Sequence, residues 1–278
     1  PSHREECNVT PRSERPCKLV YEAPGGGDLA RSLNRGREQP SGSRRRKTRS
    51  LGGGDPAMSQ AAPEDTRNSK EVEKYQNNIL RVVRQLKYCP TREWAIDLGL
   101  FINGLPVATV ELKTDFTQAI DDAILQYKHD RLPVDPKTNR KEPLLSFKRG
   151  AVVHFAMSDS EIAMCTELKG DKSFFLPFNK GNDGHAGNKP RDDGEYPVAY
   201  FWEEICQRDA WLRIFHSFVY VETKEKVDKF GMPYKAETLI FPRYHQFDAV
   251  NRMIDDARKL GAGHQYLCEH SAGSGKTS

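Results

Sequence analysis

The stretch that decides the fold is AIDLGLFINGLPVATVELK, residues 95–113. Two runs rich in aliphatic residues flank the pair Asn103-Gly104. An Asn-Gly pair between two such runs is a strong short-range signal for a β-hairpin, because both residues accept the left-handed backbone of a tight turn. The sequence therefore predicts two antiparallel strands joined at Asn103-Gly104.

The register of this hairpin determines which side chains share a face. A two-residue loop would place Ile96 opposite Glu111 and would mix charged and apolar side chains on both faces. One extra residue, in a three-residue loop or as a bulge at Gly104, would segregate the apolar residues on one face. The pairs would then be Ile96/Leu112, Leu98/Val110 and Leu100/Ala108. We predict this second register, which places Asp97 opposite Glu111.

Directly opposed side chains on one sheet face have Cβ atoms about 4.5–5.5 Å apart. Lys113, two residues beyond Glu111, is predicted to share that face. Two carboxylates this close call for a divalent cation, and carboxylate oxygens are ligands that Mg²⁺ accepts. Such a metal polarises a phosphoryl oxygen and activates water, while Lys113 orients that water or stabilises charge on phosphate. The alternative is a solvent-exposed face that merely carries charges.

Composition along the chain predicts four segments, residues 1–67, 68–177, 178–240 and 241–278. The first is rich in Gly, Pro, Ser and Arg and is expected to be a disordered or non-native leader, with Met58 as a candidate start. The second has the apolar density of a compact α/β domain. The third begins with a Gly/Asn/Asp-rich stretch and is expected to be a loop-rich linker region with helices.

The fourth segment predicts a helix, a strand and a phosphate-binding loop. Apolar residues recur at helical spacing from Phe247 to Ala257, and Gly261 and Gly263 are expected to end that helix. Residues 265–269 are expected to form a buried strand. The loop that follows contains Gly273, Ser274, Gly275, Lys276 and Thr277.

Glycines in such a loop let backbone N–H groups approach phosphate oxygens of ATP. Lys276 would reach the β- and γ-phosphates, and the Thr277 hydroxyl would ligate Mg²⁺. His270 stands where the strict pattern has its first glycine. The alternative is a flexible Gly/Ser tail.

The remaining composition excludes several classes of protein. The six cysteines lie far apart, without the spacing of a zinc site, which predicts reduced thiols. The sequence contains no run of about eighteen apolar residues and therefore predicts no membrane span. A net charge of +4 permits a polyanionic partner without requiring one. We therefore expect a cytoplasmic protein.

Asp97 followed by Glu111-x-Lys113 resembles the PD-(D/E)xK nuclease motif, with Ile96 in place of proline. A wider resemblance covers roughly residues 77–278 and is to the restriction (R) subunits of type I restriction-modification enzymes. It is carried, in order, by residues 82–88, 101–113, 153–156, 175–181 and 241–246. The resemblance implies a PD-(D/E)xK nuclease domain followed by the beginning of a RecA-like superfamily 2 helicase domain.

By this resemblance, Asp97 and Glu111 bind the metal and Lys113 completes the nuclease site. Residues 244–246 resemble a Q motif, in which Gln246 would contact adenine and either Phe241 or Tyr244 would stack on it. Related nucleases carry a Gln-x-x-x-Tyr helix, whereas Gln126 is adjacent to Tyr127 here. Helix packing is the alternative role for that pair.

The function implied is metal-dependent endonucleolytic cleavage of double-stranded DNA, coupled to ATP-driven translocation by later parts of the motor. The partners implied are the methyltransferase and specificity subunits of the same system. Two alternatives stay open: a stand-alone helicase-nuclease of defence or repair, and a non-catalytic DNA-binding remnant.

Overall fold

The computed structural model describes residues 20–21, 62, 67–90, 92–116, 118–183, 185–261, 263 and 265–267. The predicted leader therefore lies almost wholly outside the described residues, and the predicted phosphate loop at 273–277 lies entirely outside them.

The described residues form a seven-stranded sheet whose strands follow one another in chain order. The strands are β1 (Val20–Tyr21), β2 (Leu80–Lys87), β3 (Ala95–Ile102), β4 (Leu105–Leu112), β5 (Val153–Met157), β6 (Ile162–Cys165) and β7 (Leu176–Pro177). The β1/β2 and β4/β5 pairs are parallel, and the other neighbours are antiparallel. A separate antiparallel pair consists of β8 (Tyr220–Val227) and β9 (Pro233–Ile240).

Helices accompany these strands, as expected for an α/β protein. The α-helices are α1 (Ser69–Gln76), α2 (Ile120–His129), α3 (Arg208–Arg213) and α4 (Tyr244–Leu260). A 3₁₀ turn spans Pro143–Leu145, and π-helical turns span Phe201–Ile205 and Ile214–Phe218 on either side of α3. Because β4 and β5 are parallel, the chain must cross over between them, and α2 lies in that connection.

The hairpin forms with the predicted register over its central pairs. Leu98 pairs with Val110 and Leu100 with Ala108, as predicted. The loop keeps two residues, however, with φ +52° at Asn103 and +80° at Gly104. The register shift lies between the pairs at Leu100 and Phe101, which places the extra residue at Val107 rather than at Gly104. The tight turn forms because Asn-Gly suits two left-handed positions, so the strand absorbs the irregularity.

The predicted pairing of Ile96 with Leu112 on one apolar face is wrong. Ile96 is fully buried in a cluster with Tyr127 of α2, on the side of the sheet where that helix packs. Leu112 is 41% exposed, and its backbone N–H donates to the Asp97 carboxylate. The side chain of Asp97 thus takes the position of a strand partner, which ends the alternation of the hairpin there.

One hydrophobic core spans the predicted boundaries at 177/178 and 240/241. Phe155 of β5 lies 5.4 Å from Phe178, 4.9 Å from Phe201 and 5.8 Å from Phe241, measured between ring centroids. Tyr244 belongs to the same buried cluster. The segment 178–240, expected to be a linker, therefore supplies side chains to the core of the sheet. Over its described residues 178–183 and 185–199, its polar first part does form a long connection outside the helices and strands given above.

The helix predicted near residues 247–257 is confirmed as α4, and Gly261 caps its C-terminus with φ +85°. The strand predicted for residues 265–269 does not form at 265–267, and residues 268 and 269 lie outside the described residues. An isolated extended segment leaves its backbone N–H and C=O groups unpaired, so apolar composition does not by itself produce a strand. Within the described part of the chain, the helices are too short or too polar to cross a membrane.

Gly150 packs against the 3₁₀ turn so closely that a Cβ would overlap the carbonyl groups of Pro143 and Leu144. These contacts are to backbone, which cannot rotate away. We expect Gly150→Ala to lower the free energy of unfolding by about 3 kcal/mol. Gly99→Ala is the matched control, because the new Cβ would meet only side chains, of Leu86 at 2.6 Å and Phe101 at 3.1 Å. Urea denaturation of both variants tests the prediction, and equal losses would contradict it.

Candidate functional site

A buried hydrogen-bond network fixes α2 against β4 and β5. The Thr109 hydroxyl lies 2.9 Å from the Tyr127 hydroxyl and 2.7 Å from His154 Nδ1. All three side chains are almost completely buried, and burial lowers the pKa of His154 to about 3. Tyr127 therefore serves helix packing. The network holds the face of β4 that carries Thr109 and, two residues later, Glu111.

Asp97 is held through both of its carboxylate oxygens. Gln85 Nε2 donates to Oδ1 at 3.0 Å, and the Leu112 backbone N–H donates to Oδ2 at 2.9 Å. These bonds orient the Asp97 carboxylate at the end of the hairpin, beside Glu111. Each oxygen retains a second lone pair that can bind a cation.

Gln85 is a residue of this site that the sequence interpretation missed. It lies on β2 between the pairs Arg84/Leu98 and Leu86/Ile96, opposite Asp97. Its φ is +48°, a left-handed conformation that is unfavourable for a residue with a side chain. Backbone strain of this kind is concentrated at functional sites. The sequence around Gln85 shows an ordinary strand pattern, so nothing in it predicts the left-handed backbone at this residue.

Glu111 is buried beneath α2, with 1% of its side chain exposed. Arg131 Nε donates to Glu111 Oε1 at 2.6 Å. Oε2 is buried and has no hydrogen-bond partner among the described residues. Burial raises the pKa of Glu111 to about 7; Arg131 opposes this rise, and the nearby Asp97 carboxylate adds to it. Arg131 was also missed, because it lies 20 residues beyond Glu111 and only the crossover brings it back.

Lys113 lies just past the end of β4, with its backbone N–H bonded to the Met157 carbonyl at 2.9 Å. Its half-buried side chain borders an open pocket of about 340 Å³. The pocket is also lined by Gln118, Asp122, Leu125, Gln126, His129 and Asp130. Gln126 Oε1 is buried there without a hydrogen-bond partner in the part of the chain that is described. Lys113 forms no ion pair with Asp97 or Glu111 among those residues.

The side chains present fit a small divalent cation. Glu111 Oε2 is buried without a hydrogen-bond partner among the described residues, and the Asp97 carboxylate is near Glu111. Both side chains offer only oxygen, which suits Mg²⁺. Over the described ranges there is no group of three or more His, Cys, Asp and Glu side chains that could hold a metal alone. Water, backbone or a bound phosphate would have to complete the coordination. Mg²⁺ commonly keeps several such ligands.

The residues predicted to contact a nucleotide are only partly described. Phe241 and Tyr244 are buried in the core, 5% and 7% exposed, so neither ring offers an exposed face for stacking on adenine. Gln246 Oε1 accepts the Arg243 backbone N–H at 2.9 Å and so caps the start of α4. Residues 273–277 lie outside the described ranges. Nucleotide binding by Gln246 and the phosphate loop stays a prediction.

The strained backbone of Gln85 can be separated experimentally from its hydrogen bond. Gln85→Gly removes the amide but accepts φ +48°, so we expect stability within about 1 kcal/mol of wild type. Without the amide, Asp97 loses one orienting partner, and Mg²⁺ affinity should fall by about tenfold. Calorimetric titration with MgCl₂ measures the affinity, and urea denaturation measures the stability.

Arg84→Gly is the control for the preceding prediction, because Arg84 is the exposed neighbour on the same strand. It should lose stability and keep its affinity for Mg²⁺. A Gln85→Gly variant with unchanged affinity would contradict a role for Gln85 in orienting Asp97.

Comparison with known proteins bears on the segment that holds this site. A search of curated proteins finds no match. Residues 57–173 match the family model described as type I restriction enzyme R protein N terminus. The matched segment contains β2 to β6 with α2, and thus Asp97, Glu111, Lys113 and Arg131. This part of the chain is therefore similar to the N-terminal part of type I restriction enzyme R proteins.

Proposed function

We propose that the chain is part of the restriction subunit of a type I restriction-modification enzyme and carries its nuclease site at Asp97, Glu111 and Lys113. The observation that carries the proposal is the environment of Glu111: its Oε2 is buried without a hydrogen-bond partner among the described residues, and the Asp97 carboxylate is near enough to raise the Glu111 pKa. An uncompensated buried oxygen is costly unless something binds it. The match of residues 57–173 to the R protein family supports an endonuclease of a restriction system.

Each residue has a defined task in this proposal. Asp97 and Glu111 bind Mg²⁺, and Gln85 and Arg131 hold their carboxylates in place. Lys113 orients the attacking water or stabilises negative charge that develops on phosphate. When bound, the metal supplies Lewis-acid activation of the phosphodiester.

The larger activity would depend on partners and on ATP. We propose that double-stranded DNA is read by a specificity subunit beside a methyltransferase subunit, so that this chain contacts mainly the DNA backbone. Lys276 and Thr277 would bind the phosphates and Mg²⁺ of ATP for translocation. A net charge of +4 is compatible with a polyanionic substrate.

Cleavage of closed circular DNA tests the proposal directly. The chain is assayed with Mg²⁺ and ATP, alone and with methyltransferase and specificity subunits, as wild type and as Asp97→Asn. Asp121→Asn, at an exposed carboxylate on α2 outside the paired carboxylates, is the matched control. We expect cleavage that Asp97→Asn abolishes and Asp121→Asn retains.

The same assay distinguishes the alternatives. Cleavage that requires no other subunit would support a stand-alone helicase-nuclease. Complete absence of metal-dependent cleavage in the assembled enzyme would support a non-catalytic DNA-binding chain and would refute the proposal.

A further inference from the structure

Arg131 reaches the candidate metal site from the end of α2. Its backbone N–H bonds to the Gln126 carbonyl at 3.0 Å, which fixes the turn directly after the helix. The side chain is 12% exposed and extends toward β4, where Nε meets Glu111 Oε1 at 2.6 Å. The guanidinium is thus positioned by the helix and buried against the carboxylate.

This contact makes the two oxygens of Glu111 inequivalent. Oε1 is engaged by a charged donor at short distance, whereas Oε2 has no hydrogen-bond partner among the described residues. A cation can therefore bind Oε2 without disturbing the ion pair. A cation that used both oxygens would have to share Oε1 with the positively charged guanidinium, which repels it, or displace Arg131 and leave a largely buried guanidinium unpaired. The neutral amide donors on the Asp97 oxygens exert no such repulsion.

Divalent cations differ in their demand for both oxygens of a carboxylate. Ca²⁺ takes six to eight oxygens in flexible geometry, often with a bidentate carboxylate, whereas Mg²⁺ keeps a compact octahedron that includes several waters. A carboxylate confined to one available oxygen suits Mg²⁺ better. We propose that Arg131 is a positioning residue that confines Glu111 to monodentate binding and thereby sets the preference of the site for Mg²⁺ over Ca²⁺.

This inference rests on the proposed function, because it assumes that Asp97 and Glu111 bind a cation. The experiment is calorimetric titration of the full chain with MgCl₂ and with CaCl₂. Arg131→Met and Arg131→Gln remove the charged donor, and Arg92→Met removes another partly buried arginine, whose partner is Asp135 rather than Glu111. Using two neutral variants keeps the test valid if one of them fails to fold.

The readout is the ratio of the Kd for Ca²⁺ to the Kd for Mg²⁺. Wild type is expected to prefer Mg²⁺. We expect either Arg131 variant to shift the ratio by about tenfold toward Ca²⁺, the scale of effect found for groups that orient metal ligands. Arg92→Met should leave the ratio unchanged.

Two different failures are distinguishable. If wild type binds Mg²⁺ in a manner abolished by Asp97→Asn, but the Arg131 variants keep the wild-type ratio, the inference about Arg131 is wrong and the proposed function stands. Equal weakening for both cations would also refute it. If wild type binds neither cation at Asp97, the proposed function itself fails.

Discussion

Lys113→Ala is expected to reduce DNA cleavage by the assembled enzyme by about a thousandfold, the scale for losing one group that stabilises transition-state charge. The backbone of Lys113 is fixed by its bond to Met157, and its side chain forms no ion pair with either carboxylate in the described part of the chain. Truncation should therefore leave the fold intact. ATP hydrolysis should persist, because Lys276 and Thr277 are proposed to handle the nucleotide.

The measurement compares the rate of plasmid cleavage with the rate of phosphate release in one reaction mixture. Lys141→Ala, at an exposed position in the connection between α2 and β5, is the control and should retain both activities. Full cleavage by Lys113→Ala would remove Lys113 from the proposed site. Loss of both activities would show that the substitution damages the assembly rather than the nuclease step.

Acidification is expected to destabilise the fold strongly through His154. Burial lowers the pKa of His154 from 6.5 to about 3, so the folded chain binds fewer protons than the unfolded chain between these values. Stability is then retained above pH 6.5 and lost as the pH falls toward 3. One pKa unit corresponds to about 1.4 kcal/mol, so the full loss is about 5 kcal/mol.

Glu111 contributes with the opposite sign over part of this range. Its pKa is raised from 4.5 to about 7, so the folded chain binds more protons between these values and stability falls as the pH rises through them. The two groups oppose each other between about pH 4.5 and 6.5. The effect of His154 should therefore be clearest below pH 4.5.

Urea denaturation from pH 8 to pH 3 measures this prediction. His154→Gln keeps a polar side chain beside Thr109 but does not titrate. It should be less stable than wild type at pH 7 and should lose less stability on acidification. Parallel pH profiles of the two proteins would show that other groups cause the acid loss.

The hairpin was predictable because its signals are local. The Asn-Gly turn and the alternating apolar residues lie within 19 consecutive residues, and Leu98/Val110 and Leu100/Ala108 pair as predicted. The bulge lies in β4 rather than at Gly104 because Asn-Gly keeps its two-residue turn. The burial of Ile96 was not predictable from local signals, because it depends on packing against β2 and α2, which a single hairpin does not encode.

The groups that surround the carboxylates escaped the sequence interpretation for a similar reason. Gln85 precedes Asp97 by 12 residues and Arg131 follows Glu111 by 20. Their roles arise from a strained backbone position and from the return of the chain after α2. The aromatic residues that the segment 178–240 delivers to the core were not predicted either, because polar composition identified only the loop.

The shared aromatic core determines how force would pass through the molecule. Tyr244 and Phe247 at the start of α4 are embedded in the same cluster as Phe155, and the Phe247 ring also lies 5.3 Å from that of Phe218. A force along α4 would therefore act through these packed rings on the sheet that carries Glu111. Because the rings pack in one core, we expect a displacement of α4 to move the sheet and its carboxylates with it.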